Sequence, residues 1–514
     1  MNRDISLQRL ITRHQPWDIA VIGGGATGVG IAVDAASRGY AVCLLEQSDF
    51  AKATSSRSTK LIHGGVRYLQ QGNIALVTEA LHERGILRNN APHLVHDLAF
   101  VVPNYQWWEA PFYGIGLKAY DLLAGKYGFG KSLHLTQEEV LRHIPTLKTE
   151  SLRGGVLYHD GQFDDARLLM DLANTAAIYG AVLLNYAPVT SLRHDTAGHI
   201  HALAFKDSET EQSHSVSARC VINATGAFSD QLRKMDDPSV KAIIAPSQGV
   251  HLVLDKSFLP GDAAIMVPHT RDSRVMFAIP WRDRTLLGTT DTAVQSVALE
   301  PVPREEEINF LLTTAGQYLA HPPQRSDILS MFAGIRPLVK ASPGTNTAAL
   351  SRDHTIQVSA SGLLTIAGGK WTTYRRMAED AVDHAIAVGG LQPRDCVTRT
   401  LKIRESRTQA QTDHPTAGIA DDPVQRIYDQ RLNSGSSITT GDVIYFIRHE
   451  MARTVDDVLA RRTRLLLLDA RAAVELAPPV ARIMAEELGH NEAWAQRQTA
   501  EFTTLAKAYL PTLG

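Results

Sequence analysis

Gly23-Gly24-Gly25-Ala26-Thr27-Gly28 has the spacing of a turn that can cradle a pyrophosphate. Gly23 permits the tight turn, Gly25 lets a phosphate approach the backbone, and Gly28 lets a helix pack closely on a strand. Ala26 and Thr27 open a helix whose free amides and dipole favour an anion. Glu46 follows 18 residues after Gly28, where a carboxylate can bind the hydroxyls of an adenosine ribose. A second turn, Ala367-Gly368-Gly369-Lys370-Trp371-Thr372-Thr373, lies far along the chain and carries a cation and two hydroxyls.

These groups need a scaffold. Residues 18–23 form a short apolar run that ends in the glycines and predicts a buried parallel strand. Residues 31–38, with small Ala32, Ala35 and Ala36, predict a helix packed on a sheet, stopped by Gly39. Residues 40–45 predict the next strand. The second turn repeats the pattern, with an apolar strand over 363–367 and a helical run over 372–385. One helix N-terminus serves the pyrophosphate, and the other can stabilise negative charge at the N1–C2 edge of an isoalloxazine. A nicotinamide domain needs no helix delivered from so far along the chain, so the pair points to FAD. Residues 221–226 predict a strand running into the small turn Ala224-Thr225-Gly226. In the hydroxyl-rich stretch 53–69, Thr54, Ser55 and Ser56 suit close contact with phosphates and a planar ring.

The chain has 514 residues, enough for about three domains of roughly 150 each. A formal net charge of -2 argues against a nucleic-acid partner. Cys43, Cys220 and Cys396 have no metal-ligand spacing, so no metal site is expected, and they read as buried apolar groups in a reducing compartment. No apolar run is long enough to span a bilayer.

The motifs together resemble the FAD-dependent glycerol-3-phosphate dehydrogenases, within the group related to D-amino-acid oxidase. The match rests on VIGGGATG at 21–28, ATSSRSTKLIHGGVRYL at 53–69, DDARL at 164–168 and INATGAF at 222–228. It continues through FAIPWRDRTLLGTTD at 277–291, AGIRPL at 333–338, SRDHT at 351–355 and AGGKWTTYR at 367–375. The fold so implied is α/β, with a discontinuous Rossmann-like FAD-binding domain (1–85, 150–235 and 350–400). A mixed-sheet substrate domain (86–149 and 236–349) is interleaved with it, and a C-terminal helical domain (401–514) follows. RHEMA at 448–452 and DDVLARR at 456–462 carry the match there, in a segment that also reads as a plain helical appendage.

The resemblance implies oxidation of sn-glycerol 3-phosphate to dihydroxyacetone phosphate by hydride transfer to FAD, with electrons passed to a membrane quinone. It places Arg67, Tyr68, Arg336, Arg352 and Lys370 around the substrate, and guanidinium groups suit a phosphate. The alcohol proton needs a base, for which His251 is the first candidate and His63 the second; Arg336 would counter the developing alkoxide. Similar sequences usually carry lysine where Gln248 stands, which puts local electrostatics in question. An oxygen-using glycerol-3-phosphate oxidase, or an amine or amino-acid oxidase of the same fold, is the competing reading. A quinone-linked enzyme without a spanning helix would lie on the inner face of the cell membrane, on its cytoplasmic side. Two patches offer contact: the basic segment at residues 1–16, and the aromatic stretch Tyr105, Trp107, Trp108, Phe112, Tyr113 and Tyr120. The basic segment reads more readily as a helix packed on the protein itself, and the aromatic stretch reads equally as core packing. A homodimer is compatible with the sequence, which does not specify the oligomeric state.

Overall fold

A computed structural model describes residues 1–66, 69, 73–268, 275–340, 353–405 and 429–512. Two sheets organise the first 400 residues. The first has eight strands, six of them in the order His354–Val358, Leu363–Gly368, Ser213–Asn223, Trp17–Ile22, Val42–Leu45 and Val182–Leu184. Its central pairings are parallel; the outer His354–Val358 runs against its neighbour, and Val189–His194 and Ile200–Lys206 add antiparallel pairings alongside Ser213–Asn223. The apolar runs at 19–22, 42–45 and 182–184 are buried, which is why they read as near-continuous hydrophobic strands. The predicted helix over 31–38 is the end of Ala26–Ser37, and the predicted run over 372–385 is a short 3₁₀ turn followed by Tyr374–Val388.

The second sheet has ten strands of mixed direction. Its long strand Ile244–Asp255 pairs antiparallel with Arg284–Gly288 on one side and Ser330–Val339 on the other. Leu61–Ile62 and Gly154–Gln162 pair with each other in this sheet, although the boundaries at 85 and 150 put both in the cofactor domain. The chain crosses between layers directly after the hydroxyl-rich turn. That crossing carries the turn to the seam between the sheets.

The C-terminal helices Thr440–Glu450, Ala470–Leu488 and Glu492–Lys507 follow. Before the last two, a π-helical turn at Asp457–Arg462 aims two arginines into the cofactor layer. Arg461 and Arg462 both reach buried Asp49, at 2.5 and 2.7 Å. Arg464 reaches buried Asp165 at 2.7 Å. The helical unit is therefore keyed into the cofactor layer by buried ion pairs. The basic N-terminal segment follows its packed reading. Its helix Arg3–Thr12 packs on the protein itself, with Arg3 buried against Asp207 and the Asn185 carbonyl, and Leu10 in the core. Cys43 and Cys220 are buried free thiols, and burial pushes the Cys220 thiol up to about 12, whereas Cys396 is only half-buried and its thiol donates to Asp34 Oδ2 at 3.0 Å, a polar setting rather than the expected apolar one.

Candidate active site

The two glycine turns meet in one cleft. Gly23 has φ +112°, and a Cβ there would stand 2.6 Å from the Ala224 carbonyl oxygen. Only glycine tolerates both that conformation and that approach. A Cβ on Gly28 would overlap the Gly23 carbonyl oxygen, so helix Ala26–Ser37 touches the turn before it. Gly25 caps this helix without a side-chain bond, which leaves the first-turn amides other than that of Ala26 for a ligand. The second helix lies against the first, since a Cβ on Gly30 would meet the Tyr374 ring at 2.8 Å. Two helix N-termini therefore open side by side.

The hydroxyl-rich loop ties the parts together. Ser55 Oγ accepts from the Ala26 amide at 2.9 Å, and the Ser55 carbonyl accepts from Trp371 Nε1 at 2.9 Å. Thr54 Oγ1 donates to the Ile335 carbonyl at 2.6 Å, on the second sheet. Thr372 Oγ1 bonds both the amide and the carbonyl of His63, at 3.3 Å each. Glu46 accepts from the amides of Gly24 at 2.6 Å and Ser48 at 2.9 Å. Burial pushes its carboxyl above the usual range, and those amides oppose the shift.

Gly23, Gly25, Ala26, Thr27, Glu46, Thr54 and Ser55 line this cleft. So do Ala224, Thr225, Gly226, Gly368, Gly369, Lys370 and Thr372. Three expected cofactor residues stand back from it. Gly28 lies beneath the turn, Ser56 is buried with its Oγ 3.5 Å from the Ala53 carbonyl, and Thr373 donates to the Lys370 carbonyl at 3.3 Å. Arg67, Tyr68 and Arg352 lie outside the described residues. The phosphate-facing helix ends, the glycine that a Cβ would fill and the buried carboxylate beside Gly24 all fit a flavin dinucleotide.

His251, Arg336 and His63 line the same cleft. His251 is buried, with Nε2 2.9 Å from Thr59 Oγ1 and its ring stacked on Phe332 at 4.9 Å. Burial first, then the charges of Lys60 and Arg336, hold this imidazole well below its ordinary range. Its Nδ1 is buried and has no hydrogen-bond partner among the described residues. Arg336 donates to Thr290 O at 2.9 Å, Thr289 Oγ1 at 3.1 Å and Gln248 O at 3.3 Å. A Cβ on Gly249 would collide with that guanidinium, which accounts for glycine there.

Gln248 faces the other way. Strand alternation puts Gly249 and His251 on the cleft, while Gln248 Nε2 donates to Glu307 at 2.8 Å and to the Val302 carbonyl at 3.0 Å. Gln248 therefore serves Glu307 and takes no charge from the cleft lining where lysine is usual. Arg57 and Thr59, not among the expected site residues, also line the cleft. Arg57 is held by Glu300 at 2.6 Å and the Ala333 carbonyl at 3.2 Å. Both stand inside the quoted SSRSTK stretch, where contact with His251 was the only signal distinguishing Thr59, and it is visible only in the fold. Among the described residues no group of three His, Cys, Asp or Glu side chains could hold a metal ion.

Residues 18–375 match the model of the FAD dependent oxidoreductase family, and residues 408–495 match the C-terminal domain of alpha-glycerophosphate oxidase. The mitochondrial glycerol-3-phosphate dehydrogenase of Mesocricetus auratus is 41% identical, over 96% of this chain and 73% of its own length. That of Homo sapiens is 40% identical, over 94% and 72%. Among solved structures, the glycerol-3-phosphate dehydrogenase from Bacillus halodurans complexed with FAD superposes with a TM-score of 0.78 at 30% identity. The match covers 99% of this chain and 98% of that one.

Proposed function

Because this chain belongs to the FAD-dependent oxidoreductases, in their glycerol-3-phosphate dehydrogenase family, we propose that it oxidises sn-glycerol 3-phosphate to dihydroxyacetone phosphate. The observation that carries this reading is the convergence of His251, Arg336 and Lys370 on the cleft between the two glycine turns. Bound FAD supplies the acceptor for the hydride that leaves the central carbon of the substrate. The chain's own groups supply the rest. An unprotonated His251 takes the hydroxyl proton, and Thr59 orients its ring. Arg336, held by two carbonyls and a hydroxyl, counters the developing alkoxide. Lys370 binds the phosphate, joined by Arg67, Tyr68 and Arg352 on the strength of their motifs. His63 is the second candidate for the base.

The direct test is anaerobic. Glycerol 3-phosphate added to the purified holoprotein without oxygen should bleach the visible flavin absorbance. A spectrum that persists in folded, fully loaded protein rejects the reading.

We propose a membrane quinone as the electron acceptor, reached from the inner face of the cell membrane by a cytoplasmic protein bound peripherally. Among the described residues no helix is long and apolar enough to cross a membrane. Support comes from the aromatic stretch, which splits in two. Tyr113 and Tyr120 are buried in the core, whereas Trp107 is 76%, Ile115 73% and Leu122 83% exposed, with Trp108 and Phe112 also exposed. Lys118 and Lys126 are exposed beside them, where lipid phosphates would lie. Replacing Trp107, Ile115 and Leu122 together with serine should weaken binding to anionic vesicles at least about tenfold, because each apolar side chain contributes on burial. Sedimentation with vesicles reads this, and undiminished binding would remove the patch from the proposal.

A further inference from the structure

Two buried cations meet on one carboxylate behind His251. Lys60 Nζ donates to Asp165 Oδ2 at 2.7 Å and to the Ser56 carbonyl at 2.8 Å. The rings of Trp281 and Phe332 flank it at 5.3 and 5.2 Å, and Phe332 is the ring that stacks on His251. Arg464 arrives from the C-terminal helical unit and donates to Asp165 Oδ1 at 2.7 Å and to the same Ser56 carbonyl at 2.8 Å. Lys60 and Arg464 both hold left-handed backbone, with φ +62° and +68°. Long side chains adopt that conformation only where their surroundings over-determine it. Lys60 is adjacent in sequence to Thr59, whose hydroxyl touches His251 Nε2.

We propose that Lys60 is a positioning residue for the reaction: its ammonium, held by Asp165 and the Ser56 carbonyl that Arg464 also binds, keeps the His251 imidazole free of a proton in the resting site. The inference rests on the reading of His251 as the base. A base works only when unprotonated, and a proton added to a buried ring near a cation places two like charges in a medium of low polarity. The charges bearing on His251 are Lys60 and Arg336. Those facing Lys60 are Asp165, Asp164 and Arg464, and Asp164 is also paired with Arg282 at 2.8 Å. Burial lowers the Lys60 ammonium to about 7, while Asp165 pulls the other way. The C-terminal unit thereby reaches the reaction through a carboxylate it shares with Lys60, and not through contact with substrate.

The sign follows from that arrangement. Activity is lost as pH falls through the His251 value, so the acid limb of kcat/KM should lie below 6.5 in the native enzyme. Lys60→Met keeps the length and Lys60→Gln keeps donors, and both remove the charge. In both, the limb should move up by about one pH unit. Lys60→Arg should return it. A limb that stays in place in folded, flavin-loaded Lys60→Met overturns the proposal, because a purely structural role lowers the rate without moving the limb. Should neither neutral variant load flavin, histidine proton NMR of the native holoenzyme decides. The His251 signal, identified by its loss in His251→Asn, should remain that of a neutral ring at pH 6.5, and a midpoint at or above that pH overturns the proposal. This readout uses no substrate, so it stands apart from failure of glycerol 3-phosphate to bleach the flavin.

Discussion

Arg336→Ala should slow flavin reduction by glycerol 3-phosphate about a hundredfold to a thousandfold, the usual loss when one fixed donor to a developing oxyanion is removed. The structure explains why this cation is ready before the reaction begins. Its strand pairs with Ile244–Asp255 so that Arg336 stands opposite Ser247. Thr290 O, Thr289 Oγ1 and Gln248 O then hold its guanidinium beside the space that Gly249 leaves open. Little reorganisation remains to be done when charge develops. Arg336→Lys should recover only part of the rate, because a single ammonium cannot span those three acceptors and also face the substrate. Stopped-flow absorbance without oxygen, at saturating substrate, isolates this step from reoxidation. Unchanged flavin content and thermal melting must accompany the loss, and a native rate in Arg336→Ala would place the residue outside the reaction.

The cofactor layer was legible because its signals are local. A buried parallel strand, a glycine turn, a helix and an acid occupy 18–46 in sequence order, and the pattern recurs at 363–388. Contacts between distant segments carry no such signal. Nothing in the residues near Lys60 announces Arg464, which lies about 400 residues away and meets it through Asp165 and the Ser56 carbonyl. The crossing of Leu61–Ile62 into the second sheet was hidden for the same reason, since a two-residue strand has no periodicity to read. Gln248 shows a different limit. Its position beside Gly249 and His251 suggested a shared role, yet neighbours in a strand face opposite ways, and its amide serves Glu307. The aromatic stretch mixed two roles for a helical reason: Tyr113 and Tyr120 fall on the core side of Glu109–Ala124, while Phe112 and Ile115 fall on the outer side.

Gly28→Val should yield protein without flavin. The Cβ it adds would overlap the Gly23 carbonyl oxygen and reach 3.4 Å from the Ala224 Cβ. Neither neighbour is the loose end of a flexible side chain. The helix must therefore shift away from the strand, which displaces the helix N-terminus expected to face the pyrophosphate and loosens the bond from Ala26 to Ser55. Overpacking of this kind also lowers stability by about 1–3 kcal/mol. Gly116→Ala is the matching control, because a Cβ there meets nothing within 4 Å in the outer helix, and replacing an interior helical glycine with alanine is neutral or slightly stabilising. The visible absorbance of each purified variant, before and after incubation with excess FAD, reads the outcome directly. Stoichiometric flavin in a folded Gly28→Val protein would mean that the first glycine turn does not hold the pyrophosphate.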